Sequence, residues 1–169
     1  MAEAGQPLSG VLTPEPALPT SVSGCVNALE LACAHVPLVV IGDTLESADE
    51  LDKYSKAATW GRKAWRTLRA LRGYAEAKQS GDAIGSFLTY CQKASSDSPV
   101  ISSDWVVPVK SETIGNNQRF RSAKTFPVPP EVSPDGLAYM DQHIRLETGS
   151  DPAPRLHLFD DTAGPTGKI

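Results

Sequence analysis

Lys53-Tyr-Ser-Lys-Ala-Ala-Thr-Trp60-Gly-Arg-Lys-Ala-Trp-Arg-Thr-Leu-Arg69-Ala-Leu-Arg-Gly-Tyr-Ala-Glu-Ala-Lys-Gln79 is the stretch on which the fold turns. Read at about 100° per residue, Tyr54, Ala57, Ala58, Gly61, Ala64, Trp65, Leu68, Leu71 and Ala75 share one face, and Lys56, Arg62, Lys63, Arg66 and Arg69 share another. This spacing predicts an amphipathic helix. Ser47 or Asp49 is its cap, acids occupy its first turn where the helix dipole favours them, and Gly81 lies just past its end. Gly61 inside it predicts a kink or a close packing contact.

Upstream, Val22, Val26, Leu29 and Cys33 recur at spacings of four, three and four, which predicts a second helix with one buried stripe. Pro37 ends it, and Leu38 to Ile41 reads as a short buried strand before Gly42-Asp43. Residues 1–21 carry Pro7, Pro14, Pro16 and Pro19 among Ser, Thr and Gly, a composition that predicts a disordered lead. Downstream, Ile84, Phe87, Leu88 and Cys91 predict a helix from Asp82 to Lys93.

Beyond residue 98 the pattern changes to strands and turns. Trp105 to Val109 reads as an edge strand because Pro108 interrupts it, Ser111 to Ala123 as a short helix capped by Ser111, and Phe126 to Pro134 as irregular. Asp135-Gly136 is a turn. Leu137 to Glu147 and Arg155 to Asp160 read as two further strands. The expectation is an α+β protein with a helical N-terminal half packed on a small antiparallel sheet from the C-terminal half. Residues 22–169 then form one domain, helical over 22–97 and strand-rich over 98–169. Because Gly167-Lys168-Ile169 follows a turn with too few residues to form a strand, the strand from Arg155 to Asp160 is expected to present an unpaired edge. A partner, a second copy or further residues of the chain would complete it.

At 169 residues the chain suits one core. A net charge of −4 excludes a strongly basic coat protein, and no apolar run nears the roughly 18 residues that cross a bilayer. Met-Ala-Glu-Ala-Gly has neither a basic leader nor an apolar core, so a cytoplasmic location is expected. Cys25, Cys33 and Cys91 are an odd set without Cys-x-x-Cys spacing, which favours reduced thiols. Cys25, Cys33 and His35 together suggest a metal, but thiols eight apart on a helical stripe are better read as core packing.

Charge is divided along the chain. Residues 1–52 hold eight acids and no Lys or Arg, whereas Lys53 to Lys78 hold eight of the sixteen basic residues against Glu76 alone. The basic face of Lys56, Arg62, Lys63, Arg66 and Arg69, with Trp60 and Tyr74 beside it as stacking rings, is the leading binding site. It predicts a non-enzymatic accessory or regulatory protein with an anionic partner, either nucleic acid or an acidic protein. The competing assignment is a solvated face neutralised by the acidic first 52 residues.

The second candidate is His143, His157, Asp160 and Asp161. If their strands form a hairpin, the imidazoles meet across the ladder with the carboxylates at its end, a set suited to a divalent metal and hydrolysis. Against it, Asp-Asp is ordinary turn composition. Phosphate-loop, Gly-x-Ser-x-Gly and His-Glu-x-x-His motifs do not occur, which lowers the weight of the enzyme classes that depend on them.

Asn116-Asn117-Gln118-Arg119-Phe120-Arg121, Thr125-Phe126-Pro127-Val128-Pro129, Met140 with His143-Ile144-Arg145, Pro154 to Thr162 and Gly167-Lys168-Ile169 together resemble the C-terminal half of a family of small, uncharacterised actinobacterial proteins. The resemblance covers about a third of the chain. It implies a bacterial origin and a strand continuing past Ile169, and it implies no activity. Glu112, Asn116, Asn117, Arg119 and Arg121 lie on this segment as a polar cluster.

Overall fold

The computed structural model describes residues 17–95, 97–109 and 118–169. Its order is α1 (Cys25–His35), α2 (Leu45–Asp52), α3 (Ala57–Gln79), α4 (Phe87–Lys93), a single 3-10 turn (Ser103–Trp105), β1 (Val106–Val107), α5 (Gln118–Ser122), β2 (Thr125–Pro127), β3 (Leu137–Tyr139), β4 (His143–Arg145) and β5 (Arg155–His157). The α+β expectation holds, with helices concentrated in the first half and short antiparallel strands in the second. No helix among the described residues is long and apolar enough to cross a membrane.

The 53–79 stretch does not form one helix with the acids before it. The chain leaves helical geometry after Asp52 and resumes at Ala57, and the break lets one carboxylate do the work of a missing cap. Gly24 precedes α1 without a side chain to cap it, and Asp52 accepts from Cys25 N (2.6 Å) and Val26 N (3.0 Å) instead. An anion thereby sits at the positive end of the helix dipole.

Gly61 marks a close packing contact. A Cβ there would lie 2.3 Å from the Gly24 carbonyl oxygen, so α1 and α3 touch backbone to backbone. This contact corrects the expected stripe of α1. Gly24, Cys25, Ala28 and Ala32 are buried, Val26 and Leu29 are half-buried, and Cys33 is exposed, because the close approach favours the face with the smallest side chains.

α3 is the centre of the core, with Trp60, Trp65, Leu68, Leu71 and Tyr74 almost fully buried. Gly81, at φ +83°, turns the chain after its end. The next helix starts at Phe87 rather than Asp82, where the Ser86 hydroxyl accepts from Thr89 N at 3.2 Å. Of the expected lead, residues 1–16 lie outside the described residues. The remainder belongs to the folded body: Leu18 packs on the core, and the Pro19 carbonyl accepts from Trp65 Nε1 at 2.7 Å.

Three further expectations are corrected. Leu38 to Ile41 is not a strand of either sheet. It meets the last residue instead, with Val40 N donating to Ile169 O (2.7 Å) and Ile169 N to Leu38 O (3.0 Å). Leu137 to Glu147 is not one strand, since β3 pairs with β2 in a two-stranded sheet while β4 lies in a three-stranded sheet of order β1-β4-β5. β2 itself begins inside the segment expected to be irregular. The strand expected from Trp105 to Val109 shortens to β1, which lies at the sheet edge, ends at Val107 before Pro108 and pairs Val106 with Ile144 and Val107 with His143. The expected cap Ser111, with Glu112, Asn116 and Asn117, lies outside the described residues.

Candidate functional site

α3 presents its cations in two groups with different fates. Lys56 donates to Glu147 Oε2 at 2.9 Å, and Lys63 donates to the Leu146 carbonyl at 3.0 Å while lying 5.0 Å from the Trp105 ring centroid. These two lysines fasten the helix to the end of β4. Glu147, held by Lys56 and then by Thr148 N and Trp60 Nε1, has its carboxyl lowered to about 2. The counterion of Lys56 therefore comes from the strand-rich half and not from the acidic first 52 residues.

Arg62, Arg66 and Arg69 are spaced four and three apart and fall within an arc of about 60°. None of the three enters an ion pair among the described residues. Arg62 reaches only the Thr59 hydroxyl, at 3.2 Å. Arg66 lies over the Trp105 ring, 5.6 Å from its centroid. Arg69 is half-buried, and its Nε is enclosed with no hydrogen-bond acceptor. One turn on, Arg72 bonds Glu76 (2.7 Å) and the His35 carbonyl (3.3 Å). Two shallow cavities flank Arg69. The larger, about 250 Å³, includes Leu18, Arg72, Glu76 and Asp97; the smaller, about 100 Å³, is lined by Arg66, Arg69, Pro99 and Val100.

The stacking rings expected beside these cations are not on the surface. Trp60 and Tyr74 are each 1% exposed. Trp60 donates to Glu147 (3.3 Å), and the Tyr74 hydroxyl lies 2.6 Å from Asp160 Oδ2. Burial and the Asp160 carboxylate together hold the Tyr74 phenol protonated well above the ordinary tyrosine range. The reason is arc width: the apolar side of α3 meets α1, α4 and the sheet at once, so rings that a narrow stripe would leave outside are covered. The ring that does meet the basic face is Trp105, which sequence spacing could not supply because it arrives from 36 residues beyond Arg69.

The histidine candidate divides in the structure. His143 and His157 are register partners on β4 and β5, with ring centroids 5.0 Å apart. Each directs Nδ1 at a backbone carbonyl, His143 at Asp141 O (2.9 Å) and His157 at Met140 O (2.8 Å). Burial lowers both imidazoles' affinity for a proton, and Lys124 and Arg155 lower it further. The carboxylates do not join them. Asp160 accepts from Thr162 and Tyr74, and Asp161 accepts from Thr166 N (2.9 Å) and Oγ1 (2.5 Å). Both aspartates build the final turn, and among the described residues no group of three His, Cys, Asp or Glu side chains converges to hold a metal. Cys25, Cys33 and His35 do not converge either: Cys25 is buried, with its thiol pushed up to about 12, and the other two are exposed.

Among the described residues β5 has a strand neighbour only on its β4 side, while β1 occupies the far side of β4. Gly167 to Ile169 finds its partners elsewhere, at Leu38 and Val40. Arg121, from the polar cluster ahead of β2, lies over the Tyr139 ring at 4.9 Å. Compared with models of known protein families, with curated proteins and with solved structures, the chain finds no match.

Proposed function

We propose that this chain is a non-enzymatic binding protein that meets an anionic partner, nucleic acid or acidic protein, through Arg62, Arg66 and Arg69 of α3. One observation carries the reading: three arginines share an arc of the central helix with no carboxylate partner among the described residues, in a chain of 20 acids. Like charges three and four apart weaken a helix by about 0.2–0.5 kcal/mol per pair. A fold with an excess of acids that leaves such a row uncompensated accepts that cost, and an external anion would relieve it. With Trp60 and Tyr74 in the core, the affinity rests on charge and guanidinium hydrogen bonds without base stacking.

Replacing Arg62, Arg66 and Arg69 together by Gln is expected to abolish retention on DNA, RNA or polyglutamate and to flatten its dependence on salt, with the far-ultraviolet circular dichroism unchanged. Native protein that binds none of these at about 50 mM salt would end this reading.

A further inference from the structure

We infer that the recess of Arg66, Arg69, Pro99 and Val100 is a seat for one phosphate group, which names the partner chemistry at the face just described and rests on that reading. Two observations converge there. The recess, about 100 Å³, is lined by two guanidinium side chains and no acid, whereas the neighbouring recess beyond Arg69 includes Glu76 and Asp97. Arg69 lines both, and its Nε is enclosed without an acceptor. A buried donor left unpaired costs about 1–3 kcal/mol, so the resting position of the Arg69 side chain is one that a suitable oxyanion would improve. Drawing the guanidinium toward the recess gives Nε the acceptor that no described residue provides.

The donor arrangement selects phosphate over carboxylate. A carboxylate has two coplanar oxygens and is satisfied by one guanidinium fork. Arg66 and Arg69 are three residues apart, about 4.5 Å along the helix axis, and offer two forks to one small space. A phosphate has at least two unesterified oxygens in a tetrahedral frame and carries up to two charges, so it engages both forks at once. The walls of Pro99 and Val100 exclude water from one side without offering a competing acceptor side chain. Trp105, under Lys63 and Arg66, braces the outer guanidinium from the other direction.

The test follows the Arg69 Nε–Hε resonance of the full chain by nuclear magnetic resonance during titration with inorganic phosphate, and with acetate at matched ionic strength. A saturable shift with phosphate and none with acetate is expected. Arg69→Lys, which keeps the charge and the stem but loses the fork, should weaken phosphate binding about tenfold or more while the melting temperature stays close to native. Equal shifts with acetate would overturn the selectivity for phosphate and transfer the site to acidic protein. An unmoved Arg69 resonance in protein that still binds DNA or polyglutamate would remove the seat and leave the wider face standing. Absence of every response would remove both.

Discussion

The two halves of this molecule reach order by different physics. In the helical half, α1, α3 and α4 enclose Trp60, Trp65, Leu68, Leu71, Tyr74 and Phe87, and the elements meet so closely that two glycine backbones touch. In the strand-rich half no strand among the described residues exceeds three residues. Val106, Ile144, Leu146 and Leu158 join the common core, and polar clips hold the rest: Lys124 on buried Asp141 at 2.5 Å, Asp160 on Thr162 and Tyr74, and Asp161 on Thr166. Apolar burial is non-directional and tolerates small shifts, whereas a clip holds only while each donor keeps its acceptor. The first half should therefore respond to changes of volume and the second to loss of single oxygens or to protonation.

The largest effect is expected at the helix crossing. By propensity alone Gly61→Ala strengthens a helix by about 1 kcal/mol, but the added methyl would meet the Gly24 carbonyl. A net loss of about 3 kcal/mol is expected, a fall of roughly 6–12 °C in melting temperature for a chain of this size. A melting temperature that stays level or rises would mean that the two helices do not touch there.

A smaller and more local effect is expected from Asp161→Ala. It removes the acceptor for Thr166 N and Oγ1 and costs about 2 kcal/mol. Amide exchange should quicken at Val40 and Ile169, whose mutual pairing depends on the final turn, and stay slow along α3. Uniform loss of protection in both halves would erase the contrast drawn above.

The smallest effect comes from mild acid. Both histidines lie in the strand-rich half and hold protons less tightly folded than unfolded. The unfolded state therefore takes up protons first as pH falls below about 6.5, and stability present above that pH declines. Glu147 acts later: its carboxyl stays charged down to about 2, so its contribution fades only between the ordinary glutamate range and that value. Exchange at Ile144 and Leu156 is expected to rise before exchange in α3, and His157→Gln should shrink the early phase to the part that His143 contributes. Stability that is flat from pH 7 to 5 would contradict this order.

How far the sequence was legible follows the same division. The 3.6-residue period of α3 is a property of neighbouring residues and could be read directly, whereas Gly61 marked a kink or a close contact without naming Gly24 as the partner. The bland reading of Asp160 and Asp161 as turn residues also followed from local composition. Long-range partners had no local mark. Nothing near Asp52 announces that it caps a helix 27 residues earlier, and nothing near Glu147 announces Lys56 and Trp60. Leu38 to Ile41 has strand composition, yet its backbone bonds Ile169 and, within its own turn, Val36. The cluster of cations was legible, but the separation of Lys56 and Lys63, which fasten the fold, from Arg62, Arg66 and Arg69, which have no acid partner among the described residues, emerged only from tertiary contacts.

Tyr74 gives the molecule an optical signature in alkali. Its phenol faces the Asp160 carboxylate inside the core, and its ionisation is raised well above the ordinary tyrosine range. Stability from this contact is complete below about pH 10, the unfolded tyrosine value, and is lost as pH rises beyond it. Tyr74 cannot become a phenolate while α3 and the final turn remain together. The last increment of tyrosinate absorbance, which buried Tyr90 beside Tyr74 shares, and the collapse of helical dichroism should then arrive as a single event that reports on the joint between the two halves.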